Sequence, residues 1–289
     1  MILLWGSLAD APLAAVHAAL TARRAQVTLI DPQTEAHAVL EMSVDPQVSG
    51  TLRVGATQVD LEQLTGIYLR PTVPAADAPR AEIHDALWSL SEITSALVLN
   101  RPAAMAGNSS KPYQAAQARA VGFATPATLI TTSPDAARAF AAEHGDVIYK
   151  STSGVRSIVA TLDASHDERL RDLESCPTQL QQRVAGVDVR VHVVDSQLFA
   201  CEVRSDAVDY RYAGRHDLEV TLQPIELPHD VAQRCFALAA LTELPLAGID
   251  LRRTSEGEWY CFEINPSPGF TYYADQTGQP IADAVADLL

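Results

Sequence analysis

L-A-G-I-D-L-R-R (246–253), T-S-E-G (254–257), E-W-Y-C-F-E-I-N (258–265) and P-S-P-G-F (266–270) follow one another without a break. Two strand-like runs flank a Glu-Gly pair, which reads as a hairpin with Gly257 at the positive-φ position of its turn. A turn centred on Glu256-Gly257 sets Asp250 directly opposite Glu263, with Cβ atoms roughly 4.5–5.5 Å apart on one face. Asn265, two residues on, shares that face. Two like charges so placed repel each other unless a proton or a cation intervenes. Hard oxygen donors of this kind suit Mg²⁺, which keeps waters and takes other ligands from phosphates. The alternative is an exposed hairpin edge with scattered acids; the apolar Ile249, Leu251, Phe262 and Ile264 argue against full exposure.

Cations to set against these acids are unevenly chosen. Of 21 basic residues only Lys111 and Lys150 are lysine, and the rest are arginine. Arg is a wide planar fork, whereas Lys is a compact charge on a flexible stem. Positions that keep Lys in an Arg-rich chain point to tight sites such as a phosphate pocket, the alternative being two surface lysines that survived by chance.

Upstream of the hairpin, residues 1–100 alternate strand and helix patterns. I-L-L-W-G, V-T-L-I-D and G-I-Y-L-R-P read as strands, with helices from Ala11 to Arg24 and from about Arg80 to Ala96. That order predicts a small, mainly parallel α/β unit. V-L-N-R-P ends it, and the loop-like A-A-M-A-G-N-S-S marks a boundary near residue 105. Ser109 or Ser110 caps a predicted helix K-P-Y-Q-A-A-Q-A-R-A-V-G. A strand, a helix after Pro134, strand D-V-I-Y-K, loop S-T-S-G-V, strand R-S-I-V-A-T-L and a helix over 167–173 follow. From Thr178 the chain is β-rich; a helix over 229–241, the hairpin and a last helix I-A-D-A-V-A-D-L-L complete it.

The chain has 289 residues, 47% of them hydrophobic, enough for a substantial core. Its formal charge of −15 disfavours nucleic acid and anionic membranes as partners. No apolar run approaches a membrane span. The opening M-I-L-L-W-G-S-L-A-D lacks a basic n-region and reads as a first strand, not a signal peptide. Cys176, Cys201, Cys235 and Cys261 have no metal-type spacing and read as reduced core residues of a cytoplasmic protein. His192, in V-D-V-R-V-H-V-V, reads as a satisfied core or rim histidine.

Five motifs in order resemble the ATP-grasp superfamily: S-K-P-Y-Q through G-F-A-T-P-A-T-L-I (110–130), V-I-Y-K (147–150), Q-Q-R-V-A-G-V-D-V-R-V-H-V-V (181–194), A-G-I-D (247–250) and E-I-N-P-S-P-G-F (263–270). The resemblance covers roughly residues 100–289. D-Y-R at 209–211 and G-I-Y-L-R-P near residue 70 are most similar to the ribosomal-protein glutamate ligases and the microviridin-type (graspetide) peptide ligases. This implies an α/β fold with α+β lobes, an ATP-grasp fold behind a Rossmann-like pre-ATP-grasp domain. The expected domains are 1–105, a central lobe or lid at 106–183, and a C-terminal lobe with the metal site at 184–289.

The resemblance also implies roles. Lys111 and Lys150 would touch ATP phosphates. Gln181 and Gln182, with the backbone near Arg183 and Val184, would meet adenine, and Asp188 would hold the ribose. Arg211 would contact the γ-phosphate or acyl phosphate. Asp250, Glu263 and Asn265 would bind Mg²⁺, with Glu263 bridging two ions. Lys150, Arg211 and Glu263 form the expected catalytic set. Two features depart from the family: the loop after Lys150 holds one Gly, and Gln182 stands where Glu is common. Arg190 reads as a structural ion pair or a substrate contact, while Arg156 and Arg204 are further substrate candidates.

Joining a carboxylate to an amine or hydroxyl requires activation, and ATP supplies it as an acyl phosphate. Catalysis is then mostly cations and positioning. The expected function is an ADP-forming carboxylate–amine or carboxylate–hydroxyl ligase with ATP and Mg²⁺, acting on a peptide or protein substrate. A ligase for amino acids or other small metabolites, and a non-catalytic ATP-binding regulatory protein, are the alternatives. No nucleic acid or membrane partner is expected, and a homodimer is left open.

Overall fold

The computed structural model describes residues 1–75, 80–151, 160–205 and 219–289. The chain begins with β1 (Ile2–Gly6), α1 (Ala11–Ala22), β2 (Val27–Ile30) and the short α2 (Pro32–Glu35). Next come β3 (Val39–Ser43), β4 (Ser49–Val54), β5 (Thr57–Asp60), β6 (Gly66–Arg70), α3 (Ala81–Ile93) and β7 (Leu97–Leu99). Strands β2-β1-β6-β7 form a parallel sheet. Asp10 caps α1, accepting from the Leu13 backbone at 3.0 Å, and Pro12 suits the first turn. Strands β3, β4 and β5 form a separate antiparallel sheet. That sheet lies outside the strand–helix alternation expected for this region. Its inward Leu52, Val54 and Val59 join one core with Leu3, Trp5 and Ile67.

A short α4 (Pro102–Met105) leads to α5 (Lys111–Ala120), capped by Ser110. Then follow β8 (Thr128–Thr131), α6 (Pro134–His144), β9 (Val147–Ser151), β10 (Ala160–Thr161), a 3₁₀ helix (Ala164–Ser175) and β11 (Thr178–Gln182). The order in this antiparallel central sheet is β10-β9-β11-β8. The expected helix over 167–173 is thus part of a longer 3₁₀ helix. Asp163 caps its start, accepting from the Ser165 backbone at 2.9 Å.

The C-terminal part comprises β12 (Val187–Val194), β13 (Gln197–Ser205), β14 (Val220–Ile225), α7 (His229–Leu241), β15 (Leu246–Arg253), β16 (Trp259–Asn265), α8 (Thr271–Thr277) and α9 (Ile281–Leu288). The antiparallel sheet runs β14-β13-β12-β15-β16. Strand β12 is central, and its alternation sorts the two faces. Val189, Val191 and Val193 face α7 in a core with Cys235, Leu238, Ile249 and Leu251. Asp188, Arg190 and His192 take the other face.

Packing does not stop where the first sheet ends. Ile2, Leu4, Leu13 and Val16 share one core with Val194, Leu246, Phe270, Ile281 and Val285. Arg23 adds ion pairs of 2.8 and 2.7 Å to Asp283 and Asp287 of α9, so α1 and the last helix are tied. Cys201, Cys235 and Cys261 are buried, but Cys176 is exposed, at the end of the 3₁₀ helix. Among the described residues no helix is long and apolar enough to cross a membrane.

Candidate active site

The hairpin places its acids opposite each other by a different route from a simple two-residue turn. Near the turn, Arg253 faces Trp259 and Leu251 faces Cys261, so the turn is centred on Glu256. A bulge between Asp250 and Leu251 then shifts the register, and beyond it Asp250 faces Glu263 and Gly248 faces Asn265. Phe262 is the extra residue of the bulged strand. It lies on the site face, its ring 5.2 Å from the Arg252 guanidinium. Asp250, Glu263 and Asn265 therefore share one face.

Arg190 stands opposite Asp250 on β12, and its Nη1 donates to Asp250 Oδ1 at 2.6 Å. Its Nε donates to His192 Nε2 at 3.3 Å, and its guanidinium lies 5.5 Å from the Tyr273 ring centre. The side chain is only 7% exposed. Gly248 explains how it fits, since a Cβ there would run into the Arg190 guanidinium and Pro268. Burial, and secondarily the Arg190 charge, hold the His192 pKa well below 6.5, so the ring is neutral and its Nε2 accepts. His192 is thus a core residue that orients Arg190.

One step along the ladder, Asp188 faces Arg252. Arg252 Nη2 lies 2.7 Å from Asp188 Oδ1, and Arg252 Nη1 donates to the Val184 carbonyl at 2.8 Å. Asp188 and the backbone of the linker 183–186, between β11 and β12, are thereby held together. Residues Asp146, Arg183, Val184, Asp188, Ser205 and Arg252 are among those bordering a cavity of about 470 Å³ beside this linker. The Arg183 N–H donates to the Asp146 carbonyl at 2.8 Å, and the Gln182 N–H to the Ala127 carbonyl at 2.9 Å.

On the central sheet Lys150 pairs in register with Gln179, and its Nζ donates to Gln181 Oε1 at 3.1 Å. Gln181 Nε2 donates to Thr128 Oγ1 at 3.1 Å, so this buried amide spans β8 to β9 and orients the lysine. Gln182 Oε1 lies 3.5 Å from the Ala127 N–H. Lys111 opens α5. Gln114, within the same first turn, donates to the Ile264 carbonyl at 2.7 Å, between Glu263 and Asn265. This bond pins the start of α5 to the acidic strand.

Arg204 borders the same linker cavity from the end of β13. It alternates with Cys201 and Val203, which face the Arg190 side, and so projects from the opposite face of the sheet. There it pairs with the buried Glu202 at 2.6 Å, and Arg253 holds the other carboxylate oxygen at 2.9 Å. Arg156 and Arg211 lie outside the described residues. Tyr273 packs on Cys201 and Val203, while Tyr272 is 45% exposed. Reading the sequence missed Gly248, Arg252 and Glu202. The D-x-R-x-H alternation on β12 opposite G-x-D-x-R on β15 carries the signal for the first two.

Among the described residues no three His, Cys, Asp or Glu side chains converge. The acidic set is two carboxylates and an amide, with an arginine already on one carboxylate. Such a set fits Mg²⁺ delivered with a polyphosphate, which brings its own oxygens, better than a self-sufficient metal cage.

An acidic face in a five-stranded sheet, a lysine on a separate antiparallel sheet and a linker between them define a ligase of the ATP-grasp class. Residues 114–289 match the model of the RimK-like ATP-grasp domain, and the chain belongs to that family. No curated protein matches the chain. Solved structures do. The ATP-grasp ligase PsnB complexed with minimal precursor, Mg and ADP superposes with TM-score 0.76 at 28% identity, over 99% of this chain and 95% of that one. The macrocyclase MdnC from Microcystis aeruginosa MRC, bound with precursor peptide MdnA, gives 0.83 at 21% identity, over 100% and 99%. The Chryseobacterium gregarium RiPP-associated ATP-grasp ligase, in complex with ADP and a leader and core peptide, gives 0.83 at 24%, over 100% and 96%.

Proposed function

We propose that this chain is an ADP-forming ligase that uses ATP and Mg²⁺ to activate a carboxylate of a peptide or protein and joins it to an amine or hydroxyl. The carrying observation is the Asp250–Glu263–Asn265 face with Arg190 on Asp250, in a fold shared over nearly its whole length with PsnB. Bound Mg²⁺ would neutralise negative charge on the nucleotide phosphates. Asp250, Glu263 and Asn265 would hold it. Lys150, steadied by Gln181, and Lys111 would hold phosphate oxygens, and Arg211 would meet the transferred group. The backbone near Gln182, Arg183 and Val184 would border adenine, and Asp188, oriented by Arg252, the ribose. In-line transfer to a carboxylate needs these charges fixed in advance, which costs no reorganisation during the reaction.

The same reading takes 1–105, 106–183 and 184–289 as the working domains and a cytoplasmic setting, with a homodimer left to measurement. Arg156 remains a substrate candidate. Arg190 serves Asp250 in this reading, and Arg204 serves Glu202. The test is incubation with ATP, Mg²⁺ and Glu/Asp-containing peptides, read by mass spectrometry. Loss of one water per bond formed supports the proposal. ATP-dependent change confined to free amino acids would favour a small-molecule ligase.

A further inference from the structure

Two sequence motifs have no part in the site so far: G-I-Y-L-R-P and V-L-N-R-P. Both end strands of the parallel sheet, β6 at Arg70 and β7 just before Asn100. The sheet order β2-β1-β6-β7 sends the loops after β1 and β6 in opposite directions, which opens a crevice at their carboxyl ends. Arg70 fills that crevice. Its Nε and Nη2 grip Asp10, the latter at 3.0 Å from Oδ2. Its Nη1 reaches across to Ser267 Oγ at 2.9 Å and to the Pro268 carbonyl at 3.3 Å. Asn100, 1% exposed, donates from Nδ2 to the carbonyls of Leu246, at 2.6 Å, and of Pro266. Its Oδ1 accepts from the Leu246 N–H at 3.2 Å.

The loop held this way begins at Asn265. Pro266 and Pro268 have no N–H. The Ser267 N–H donates to Asn265 Oδ1 at 2.9 Å. The segment therefore offers carbonyls and one hydroxyl, and the donors that fix it come from the N-terminal sheet. We propose that Arg70 is a positioning residue for the metal site. With Asn100 it clamps residues 265–268 to the N-terminal sheet and so sets the direction of the Asn265 oxygen beside Glu263. Arg70 is not a substrate contact: each of its three nitrogens is engaged, its charge is met by Asp10, and its side chain is 12% exposed. Lys cannot replace it, because one ammonium cannot span a carboxylate and a second loop with fork geometry.

This inference rests on reading Asp250, Glu263 and Asn265 as the Mg²⁺ site, and its test keeps the two apart. Mn²⁺ is titrated into the full-length protein with ADP and followed by electron paramagnetic resonance, alongside melts of the metal-free protein. Arg70→Lys should raise the half-saturating Mn²⁺ concentration about tenfold or more, the scale of losing a group that orients a ligand. Ser267→Ala, which leaves Arg70 on Asp10, should shift it the same way by less. A lower melting point for Arg70→Lys with Mn²⁺ binding unchanged would overturn the clamp. If Arg70→Lys does not fold, Ser267→Ala decides, and wild-type Mn²⁺ binding in that variant overturns the proposal. Wild-type protein that binds no Mn²⁺ with ADP would contradict the functional reading itself.

Discussion

Arg190 and Asp250 face each other on adjacent strands and make a 2.6 Å ion pair. Since Glu263 lies opposite Asp250 on the other side, Arg190 offsets the repulsion between the two carboxylates. Breaking a buried pair by removing one partner costs about 3–5 kcal/mol. Asp250 is 24% exposed, so water recovers part of this. Arg190→Met should therefore destabilise the metal-free protein by about 2 kcal/mol. Mg²⁺ with ADP should restore much of that loss, because the ion supplies the missing positive charge. Thermal melts with and without Mg²⁺–ADP check this; an equal loss in both conditions would count against it.

Lys150→Arg should lower turnover by about 100-fold, the scale seen when one preorganised charge-stabilising donor is lost. The charge is kept, but Gln181 Oε1 holds a single ammonium at 3.1 Å, and a planar fork does not occupy that place. Gln181→Leu should act in the same direction and more weakly. Steady-state ADP release measures both, and a Lys150→Arg enzyme that turns over near the wild-type rate would contradict the assignment.

The hairpin shows what the sequence could and could not disclose. The pairing of Asp250 with Glu263 was legible, but the turn that produces it was not: the turn is one residue wider and a bulge at Phe262 corrects the register. Strand alternation puts Asp188 and Arg190 on one face of β12 because period-2 geometry is local. The partner of Arg190 was not legible, since it depends on the register between strands far apart in the chain. The face that Arg204 takes was not legible either, being set by the register of β13 on β12. The β3–β5 sheet went unread because its strands are short and half-exposed, with few buried positions to give a pattern. The bonds from the Gln181 amide to Lys150 and Thr128 were likewise not legible, because they depend on how β11 pairs with β9 and β8.

His192 gives a pH signature. Its pKa is depressed by burial, and less by Arg190, so folding favours the neutral ring. A group of this kind contributes stability that is full above its unfolded value of 6.5 and is lost as the pH falls toward the folded value. His192→Gln keeps an acceptor for Arg190 Nε and removes the titration. Its stability should fall less steeply than wild type below pH 6.5, as read from denaturant midpoints across pH. Parallel acid limbs would mean that His192 is not held neutral.

In the proposed function the acidic face and both lysines act at the β/γ end of a nucleotide. Cations gathered there transfer a γ-phosphoryl group to a carboxylate oxygen, whereas an adenylating enzyme directs them at the α-phosphate. The direct measurement is chromatography of nucleotides after incubation with ATP, Mg²⁺ and a carboxylate-bearing peptide that the enzyme modifies. ADP and inorganic phosphate in step with bonds formed, abolished by Glu263→Gln, is the predicted result. AMP and pyrophosphate in that stoichiometry would contradict the account.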